Sequence, residues 1–254
     1  MRAWLHGLAA FSLLATGAAC AQSTPAAPPT SDTWAFVDVD VLPMDRDVRL
    51  SSQTVVVRDG RIVAIGAQHE VGIPADATRI AGEGKVLMPG LAEFHGHVPG
   101  GDDPAYVEDT LALYLANGVT LVRNMAGDAS HPALRTRIER GDIDGPTLVL
   151  ASPWLRGGNA AAVTEEVQAH HAAGFDLLKL GNIPAATYPA MVAAANAVDL
   201  PFAGHIPDGV PLETALSAGQ ASIDHLDRYV EFLVPPGTQT QGREAGWFGS
   251  GWVQ

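Results

Sequence analysis

From Val86 onward the sequence alternates between short apolar segments and predicted helices, and this alternation restricts the fold more than any other feature. Strands are predicted at six apolar segments: 86–97, 119–124, 146–151, 175–180, 201–206 and 221–226. Helices are predicted between them, at about 104–117, 131–140, 164–173, 184–198 and 210–217. Because the strands are almost continuously apolar, we expect a parallel sheet that is covered on both faces by helices.

The number of strands limits how this sheet can close. A (β/α)8 barrel needs eight strands, and residues 235–254 show no periodicity that would provide a seventh and an eighth. The fold class is therefore predicted to be α/β, an incomplete (β/α)8 TIM-type barrel of about six strands. Its unpaired edges are expected to aggregate or to recruit a partner chain, for example as a homo-oligomer.

A small antiparallel β module is predicted ahead of the barrel. The β-branched runs on either side of Asp59-Gly60 indicate a hairpin, because this dipeptide suits a tight turn between two strands. Residues between this module and the N-terminal apolar stretch are rich in Pro, Ser and Thr and are predicted to be a disordered linker. The predicted organisation is a signal peptide (1–21), a linker (22–32), a β-sandwich-like module (33–85), a partial barrel (86–230) and an irregular tail (231–254).

The first 21 residues have the features of a secretory signal peptide. An early Arg2 precedes an apolar stretch too short to span a bilayer, and small residues follow it. Ala19-Cys20-Ala21 fits a cleavage site, whereas Cys20 is also suited to be the acylated first residue of a lipoprotein, and both interpretations stay open. We expect a bacterial protein that is secreted, periplasmic or associated with the outer membrane, with no transmembrane segment and, since Cys20 is the only cysteine, no disulfide.

The charge balance restricts the class of partner. The chain has 28 acidic and 15 basic residues, a net charge of −13, and no run rich in Lys or Arg. Such a chain is not expected to bind nucleic acid or an anionic membrane surface. A small-molecule substrate is expected instead.

Four of the predicted strands end in a candidate metal ligand. His95 and His97 end the first strand, and Lys179, His205 and His225 end the fourth, fifth and sixth. His95 and His97 are two residues apart, so on a strand their side chains face the same side. Because the carboxyl ends of parallel strands converge on one mouth of a barrel, all five residues are expected in one site.

Lys179 is the most informative of the five residues. It is one of only two lysines and lies within the apolar run Leu177–Leu180, where a lysine is costly unless its charge is removed or paired. Burial favours the neutral amine, which can react with carbon dioxide to give a carbamate that bridges two divalent metals. The alternatives are a lysine paired with a buried carboxylate, or one that contacts a single metal only through its bound water.

This order of features resembles the amidohydrolase superfamily, in particular its imidazolonepropionase-like and Xaa-Pro dipeptidase (prolidase) branches. The resemblance covers residues 34 to about 230 and rests on the run from Pro89 to His97, followed by the lysine and two histidines at later strand ends. It implies that His95 and His97 hold a first metal, that carboxylated Lys179 bridges, and that His205 and His225 hold a second. Two Zn²⁺ ions suit this mixture of imidazole and oxygen ligands best.

The resemblance also implies an activity. A metal-activated hydroxide would cleave C–N bonds in a small peptide, an acylated amino acid or a cyclic amide, with Lys179 and His225 in catalytic roles. In that family an Asp on the eighth strand takes the proton from the attacking water, and none of the six predicted strands supplies a match. A second hypothesis is therefore a truncated, non-catalytic fragment that binds metal without turnover.

Residues outside the ligand set receive weaker predictions. Arg156 and Tyr229, in loops after the third and sixth strands, are candidates for substrate binding, although an exposed loop arginine is equally expected to have no role. Four further histidines are predicted to be solvated: His69, His131, His170 and His171.

Overall fold

The computed structural model describes residues 32–101 and 103–233. The predicted signal peptide, Cys20, residues 22–31 of the linker and residues 234–254 of the tail lie outside the described residues. The chain forms two compact units, one ending at Pro89 and the other beginning at Gly90. None of the helices in the described part of the chain has the length and apolarity needed to cross a membrane.

The first unit is a five-stranded sheet. Its strands are β1 (Thr33–Val41), β2 (Leu50–Arg58), β3 (Arg61–Ala67), β4 (Thr78–Ala81) and β5 (Val86–Leu87). The strand order is β3-β2-β1-β4, and β5 also pairs with β1. Strands β1, β2 and β3 are antiparallel with a turn at Asp59-Gly60, as predicted, but β4 and β5 run parallel to β1. The sheet is therefore mixed rather than purely antiparallel.

The second unit alternates strands and helices. Its main elements are β6 (Leu91–Gly96), α1 (Pro104–Ala116), β7 (Val119–Asn124), α2 (His131–Glu139), β8 (Thr147–Trp154), α3 (Ala160–Ala172), β9 (Leu177–Leu180), α4 (Tyr188–Ala197), β10 (Phe202–Gly204), α5 (Leu212–Ser217), β11 (Ser222–Ile223) and α6 (Tyr229–Leu233). Short 3₁₀ turns lie at Ala185–Thr187 and Asp224–Leu226. The six strands form one parallel sheet in sequence order. The predicted incomplete α/β barrel is confirmed.

The apolar run 86–97, predicted as one strand, is divided between the two units. Val86 and Leu87 pair with β1, whereas β6 pairs with β7. Pro89 lies between them, and a proline has no N–H to donate to a ladder. The structure therefore places the division at Pro89–Gly90, four residues beyond the predicted module boundary at residue 85.

Strand β9 shows how the sheet positions a polar side chain. Leu178 and Leu180 pack into the main core with residues of α3 and α4. Leu177, on the opposite face, packs with Met125, Ala151 and Ala203 in a small inner cluster. Because side chains alternate along a strand, Lys179 shares the inner face with Leu177.

Candidate metal centre

The four histidines predicted as ligands lie together at the carboxyl ends of the strands. The ring centroids of His95 and His97 are 5.5 Å apart, and those of His95 and His225 are 4.8 Å apart. The His205 ring stacks on His225 at 5.2 Å. Residues from both ends of the six-stranded sheet therefore meet in one place, as predicted from the convergence of parallel strands.

Asp224 also belongs to this site, and the sequence analysis missed it. Its Oδ2 lies 2.5 Å from the Lys179 Nζ and 3.5 Å from the His95 Nδ1. His95, Asp224 and His225 each offer a ligand atom, and these three atoms all lie within 4.8 Å of one another. The structure thus contains a His/Asp group suited to a divalent metal.

The backbone explains why Asp224 and His225 both reach the site. Regular alternation would put Asp224 on the inner face and His225 on the outer face with Ile223. Strand β11 ends at Ile223, however, and His225 has a left-handed conformation with φ of 57°. The chain therefore turns after Asp224, so that two consecutive side chains contribute to one site.

Lys179 is buried and ion-paired. It is 1 % exposed, Asp224 is 5 % exposed, and the ammonium donates to the Asp224 carboxylate. The Lys179 backbone N–H donates to the Ser152 Oγ at 3.0 Å. This is the carboxylate-paired arrangement that the sequence left open beside the carbamate.

The His-Gly-His segment depends on its central glycine and on a tyrosine of α1. A Cβ at Gly96 would lie 2.4 Å from the Val122 Cγ1, so a larger residue would displace β6 from β7. The Tyr114 hydroxyl accepts from the His97 N–H at 3.1 Å and lies 3.2 Å from the His97 carbonyl oxygen, to which it can donate. These contacts hold the backbone between the two histidines.

His205 is oriented by a carboxylate that the sequence analysis did not identify. Its Nδ1 donates to the Asp227 Oδ2 at 2.7 Å, and Asp227 also accepts from the Ile206 N–H at 3.3 Å. A Cβ at Gly204 would lie 2.5 Å from the Leu180 carbonyl oxygen, so the close approach of β10 and β9 just before His205 requires a glycine. A carboxylate on one ring nitrogen is the usual arrangement behind a metal-bound histidine.

The segment that carries His225 is strained and tied down at one end. Leu226 and Arg228 have φ of 60° and 66°, beside 57° at His225. Such conformations cost roughly 1–2 kcal/mol each for residues other than glycine. The Arg228 guanidinium pairs with Asp208, which also accepts from the Asn182 side-chain amide at 2.9 Å. These contacts join the loops that follow β9, β10 and β11.

The environment of His95 favours its metal-binding form. Burial lowers the pKa of His95, and the nearby Lys179 ammonium, His97 and His225 act in the same direction, whereas Asp224 opposes them. A lowered pKa keeps the imidazole neutral near pH 7, the state in which it binds metals.

Known proteins share this arrangement of strands. No protein-family model matches the sequence. A 53-residue segment is 45% identical to Enamidase from Eubacterium barkeri. The segment makes up 21% of this chain and corresponds to 14% of that protein. A protein from Bifidobacterium longum assigned as a prolidase superposes with a TM-score of 0.65 and 24% identity, over 74% of this chain and 53% of that one. A Xaa-Pro dipeptidase with bound methionine superposes with a TM-score of 0.61 and 18% identity, over 75% of this chain and 61% of that one.

The chain has the amidohydrolase fold. The resemblance stated from the sequence is thereby confirmed at the level of the fold. The chain spans only 53% and 61% of the lengths of the two similar structures.

The residues of the site fit a divalent metal. Imidazole nitrogens and carboxylate oxygens together suit Zn²⁺ and related first-row ions. Three such atoms converge in His95, Asp224 and His225, and His205 is already oriented by Asp227.

The two predicted substrate-binding residues lie outside the contacts described so far. Arg156 is exposed, and its backbone N–H donates to the Glu166 carboxylate at 3.1 Å. Tyr229 is half-buried and packs against the main core. The Trp154 ring, 43 % exposed, lies 6.0 Å from the His205 ring and is an apolar neighbour of the site. The roles of Arg156 and Tyr229 stay predictions.

His131 was predicted to be solvated, and this is wrong. It is 0 % exposed, and its Nδ1 lies 2.9 Å from the Asn124 side-chain nitrogen and 3.0 Å from the Asp128 backbone nitrogen. Its Nε2 lies 3.0 Å from the Pro99 carbonyl oxygen, which can only accept. The Nδ1 therefore accepts and the Nε2 donates. His131 thus fastens the loop after β6 to the start of α2.

Proposed function

We propose that the protein is a metal-dependent hydrolase that cleaves C–N bonds in small amide or peptide substrates. The convergence of ligand atoms from His95, Asp224 and His225 at the carboxyl ends of the strands carries this proposal. Similar structures that are named as a prolidase and a Xaa-Pro dipeptidase support this bond type. A small-molecule substrate also agrees with the net charge of −13.

The proposed ligands are His95, His97, Lys179, His205 and His225, with two Zn²⁺ as the metals. When bound, such ions polarise a carbonyl and activate water near neutral pH. The histidines bind as neutral imidazoles, and Asp227 holds the His205 ring in one orientation. Trp154 offers an apolar surface beside His205 for the substrate.

Lys179 and Asp224 form a coupled pair in this proposal. As an ammonium, the Lys179 Nζ donates to the Asp224 Oδ2 at 2.5 Å, so this oxygen is not free to bind a metal. After the ammonium loses a proton, the neutral amine would add carbon dioxide and release a second proton to give a carbamate anion, so Asp224 would lose its ion-pair partner. Asp224 would become available as a metal ligand, so bicarbonate is expected to increase metal uptake.

The test is hydrolysis by the 254-residue chain after refolding with Zn²⁺ and bicarbonate. Dipeptides, N-acyl amino acids and cyclic amides form the substrate panel, and a chelator is the first control. His95→Ala should abolish turnover, whereas His69→Ala, at an exposed histidine of the first unit, should leave it unchanged. Turnover that survives both the chelator and His95→Ala would refute the proposal.

The second candidate is a metal-binding chain without turnover. It is favoured by the sheet order, in which β6 and β11 each pair with only one strand among the described residues. This candidate predicts metal binding without hydrolysis by the 254-residue chain, and activity only when further strands or a partner chain, such as a second copy, complete the sheet. Clear turnover by the 254-residue chain would exclude it.

We also propose that residues 1–21 direct the protein out of the bacterial cytoplasm. The early arginine and the short apolar stretch support export. The mass of the mature protein from a bacterial host separates the two interpretations of Cys20, because acylation adds fatty-acid mass and cleavage alone does not.

A further inference from the structure

Arg123 on β7 contacts both edge strands of the parallel sheet. Its Nε donates to the Phe94 carbonyl oxygen of β6 at 2.7 Å, and its guanidinium carbon lies 5.8 Å from the centre of the Phe94 ring. Its Nη2 donates to the Ser222 Oγ of β11 at 3.0 Å. One side chain thus joins the first strand of the sheet to the last.

This contact is possible only because the sheet is curled. Strands β6 and β11 are at opposite ends of the order β11-β10-β9-β8-β7-β6. In a flat sheet they would be about 24 Å apart, since neighbouring strands are spaced by about 4.8 Å. Arg123 shares the inner face with Met125 of the inner cluster, so its side chain extends into the concave side of the curl.

The two contacts lie immediately beneath the candidate metal centre. Phe94 directly precedes His95, and Ser222 is two residues before Asp224 on the inner face of β11. A guanidinium is a planar fork of five donors, so it holds two acceptors at a fixed separation better than a flexible ammonium does. Arg123 is half-buried, as is Ser222.

We propose that Arg123 is a positioning residue that sets the distance between His95 and the Asp224–His225 pair. It does so by tying β6 to β11 across the inside of the sheet, one side-chain layer below the ligands. Its consequence for metal binding rests on the proposed function, whereas its effect on strand separation does not.

The first test is a distance measurement without metal. Spin labels on Ala92→Cys and Ala221→Cys, in a Cys20→Ser background, report the separation of the two strand regions, and both alanines are exposed. Arg123→Met keeps the aliphatic stem and removes the donors, so the distance distribution should broaden and shift outward. Ser222→Ala removes one acceptor and should give a smaller change in the same direction, which keeps the test decisive if Arg123→Met does not fold.

A matched control is Arg135→Met in the same unit. Arg135 also donates two hydrogen bonds, to the Asp176 Oδ2 at 2.6 Å and to the Gly174 carbonyl oxygen at 2.7 Å, but neither acceptor lies on β6 or β11. This variant should lose stability without any change in the label distance. Unchanged distributions in both Arg123→Met and Ser222→Ala would overturn the proposal.

The second readout is metal affinity. Loss of a residue that orients ligands typically weakens metal binding about 10–100-fold, and we expect this for Arg123→Met but not for Arg135→Met. Equal affinities in Arg123→Met and the unmodified chain would also overturn the proposal. If the unmodified chain binds no Zn²⁺, the proposed function fails, and the label distances still decide the role of Arg123.

Discussion

The two halves of the candidate metal centre are organised differently. Lys179, His205 and Asp224 are 1 %, 7 % and 5 % exposed, and each has a charged partner. His95 and His225 lie on the open side, where the His95 side chain is 31% exposed. Buried polar groups must be paired or they destabilise the fold, whereas exposed ones can wait for a ligand.

This difference separates two roles within one site. The buried half contributes to folding even without a metal, because Lys179 and Asp224 neutralise each other. The open half is held by its backbone, through the close packing of Gly96 and the Tyr114 hydroxyl. We therefore expect substitutions in the buried half to reduce stability and substitutions in the open half to reduce metal binding.

The largest effect is expected for Lys179→Ala. Removing one partner of a buried ion pair leaves an uncompensated charge and costs about 3–5 kcal/mol. Urea unfolding of the metal-free protein measures this loss. The double variant Lys179→Met/Asp224→Leu removes both charges, so its free energy of unfolding should be much closer to that of the unmodified chain. An equally large stability loss in the double variant would show that the loss in Lys179→Ala does not come from the unpaired Asp224 carboxylate.

His95→Ala should show the opposite profile. Because His95 is partly exposed, we expect a stability loss under about 1 kcal/mol. The Zn²⁺ affinity should fall by at least about 100-fold, because loss of a residue that only orients a metal ligand already weakens binding by up to about 100-fold. Competition with a fluorescent zinc chelator measures the affinity, and a large stability loss with unchanged affinity would reverse the comparison.

Asp227→Asn tests the boundary between the two halves. It weakens the carboxylate contact that orients His205 while keeping the side-chain size, so Zn²⁺ affinity should fall about 10–100-fold. The stability of the metal-free protein should change little, and Asp45→Asn, at an exposed surface pair, is the matched control. Equal affinities in the two variants would show that His205 needs no orienting carboxylate.

The smallest effect concerns His170 on α3, away from both halves of the centre. His170 was predicted to be solvated but is half-buried, and its ring packs edge-on against Phe175 at 5.6 Å; this burial lowers the pKa of His170. The pKa of His170 in the folded protein is therefore below its value of about 6.5 in the unfolded chain. The stabilisation that comes from burying the neutral ring is fully present above about pH 6.5 and is lost as the pH falls through the folded pKa. In His170→Gln, the free energy of unfolding should depend less on pH below about 6.5. An unchanged slope would show that other groups cause the pH dependence.

The sequence predicted the parts of the site that follow from regular geometry. Ligands at successive strand ends converge in any parallel barrel, so the four histidines and Lys179 could be found from spacing. Asp224 was missed although regular alternation already places it on the inner face with Ser222. It is His225 that reaches the site only through its left-handed turn, which no local signal marks. Asp227 was missed because its partners, His205 and Ile206, lie in the loop after the preceding strand. The burial of His131 was missed because one of its three partners, Pro99, comes from a loop 32 residues away. The division at Pro89 had a signal, the missing proline N–H, that a continuous apolar run obscured.

X-ray absorption at the zinc edge of the Zn²⁺-loaded 254-residue chain tests the central claim most directly. The account predicts nitrogen and oxygen ligands at about 2.0–2.2 Å from the zinc. It also predicts outer-shell scattering from at least two imidazoles, and one imidazole fewer in His95→Ala. A spectrum with oxygen ligands alone, or one that His95→Ala leaves unchanged, would contradict the assignment of these strand ends as a metal centre.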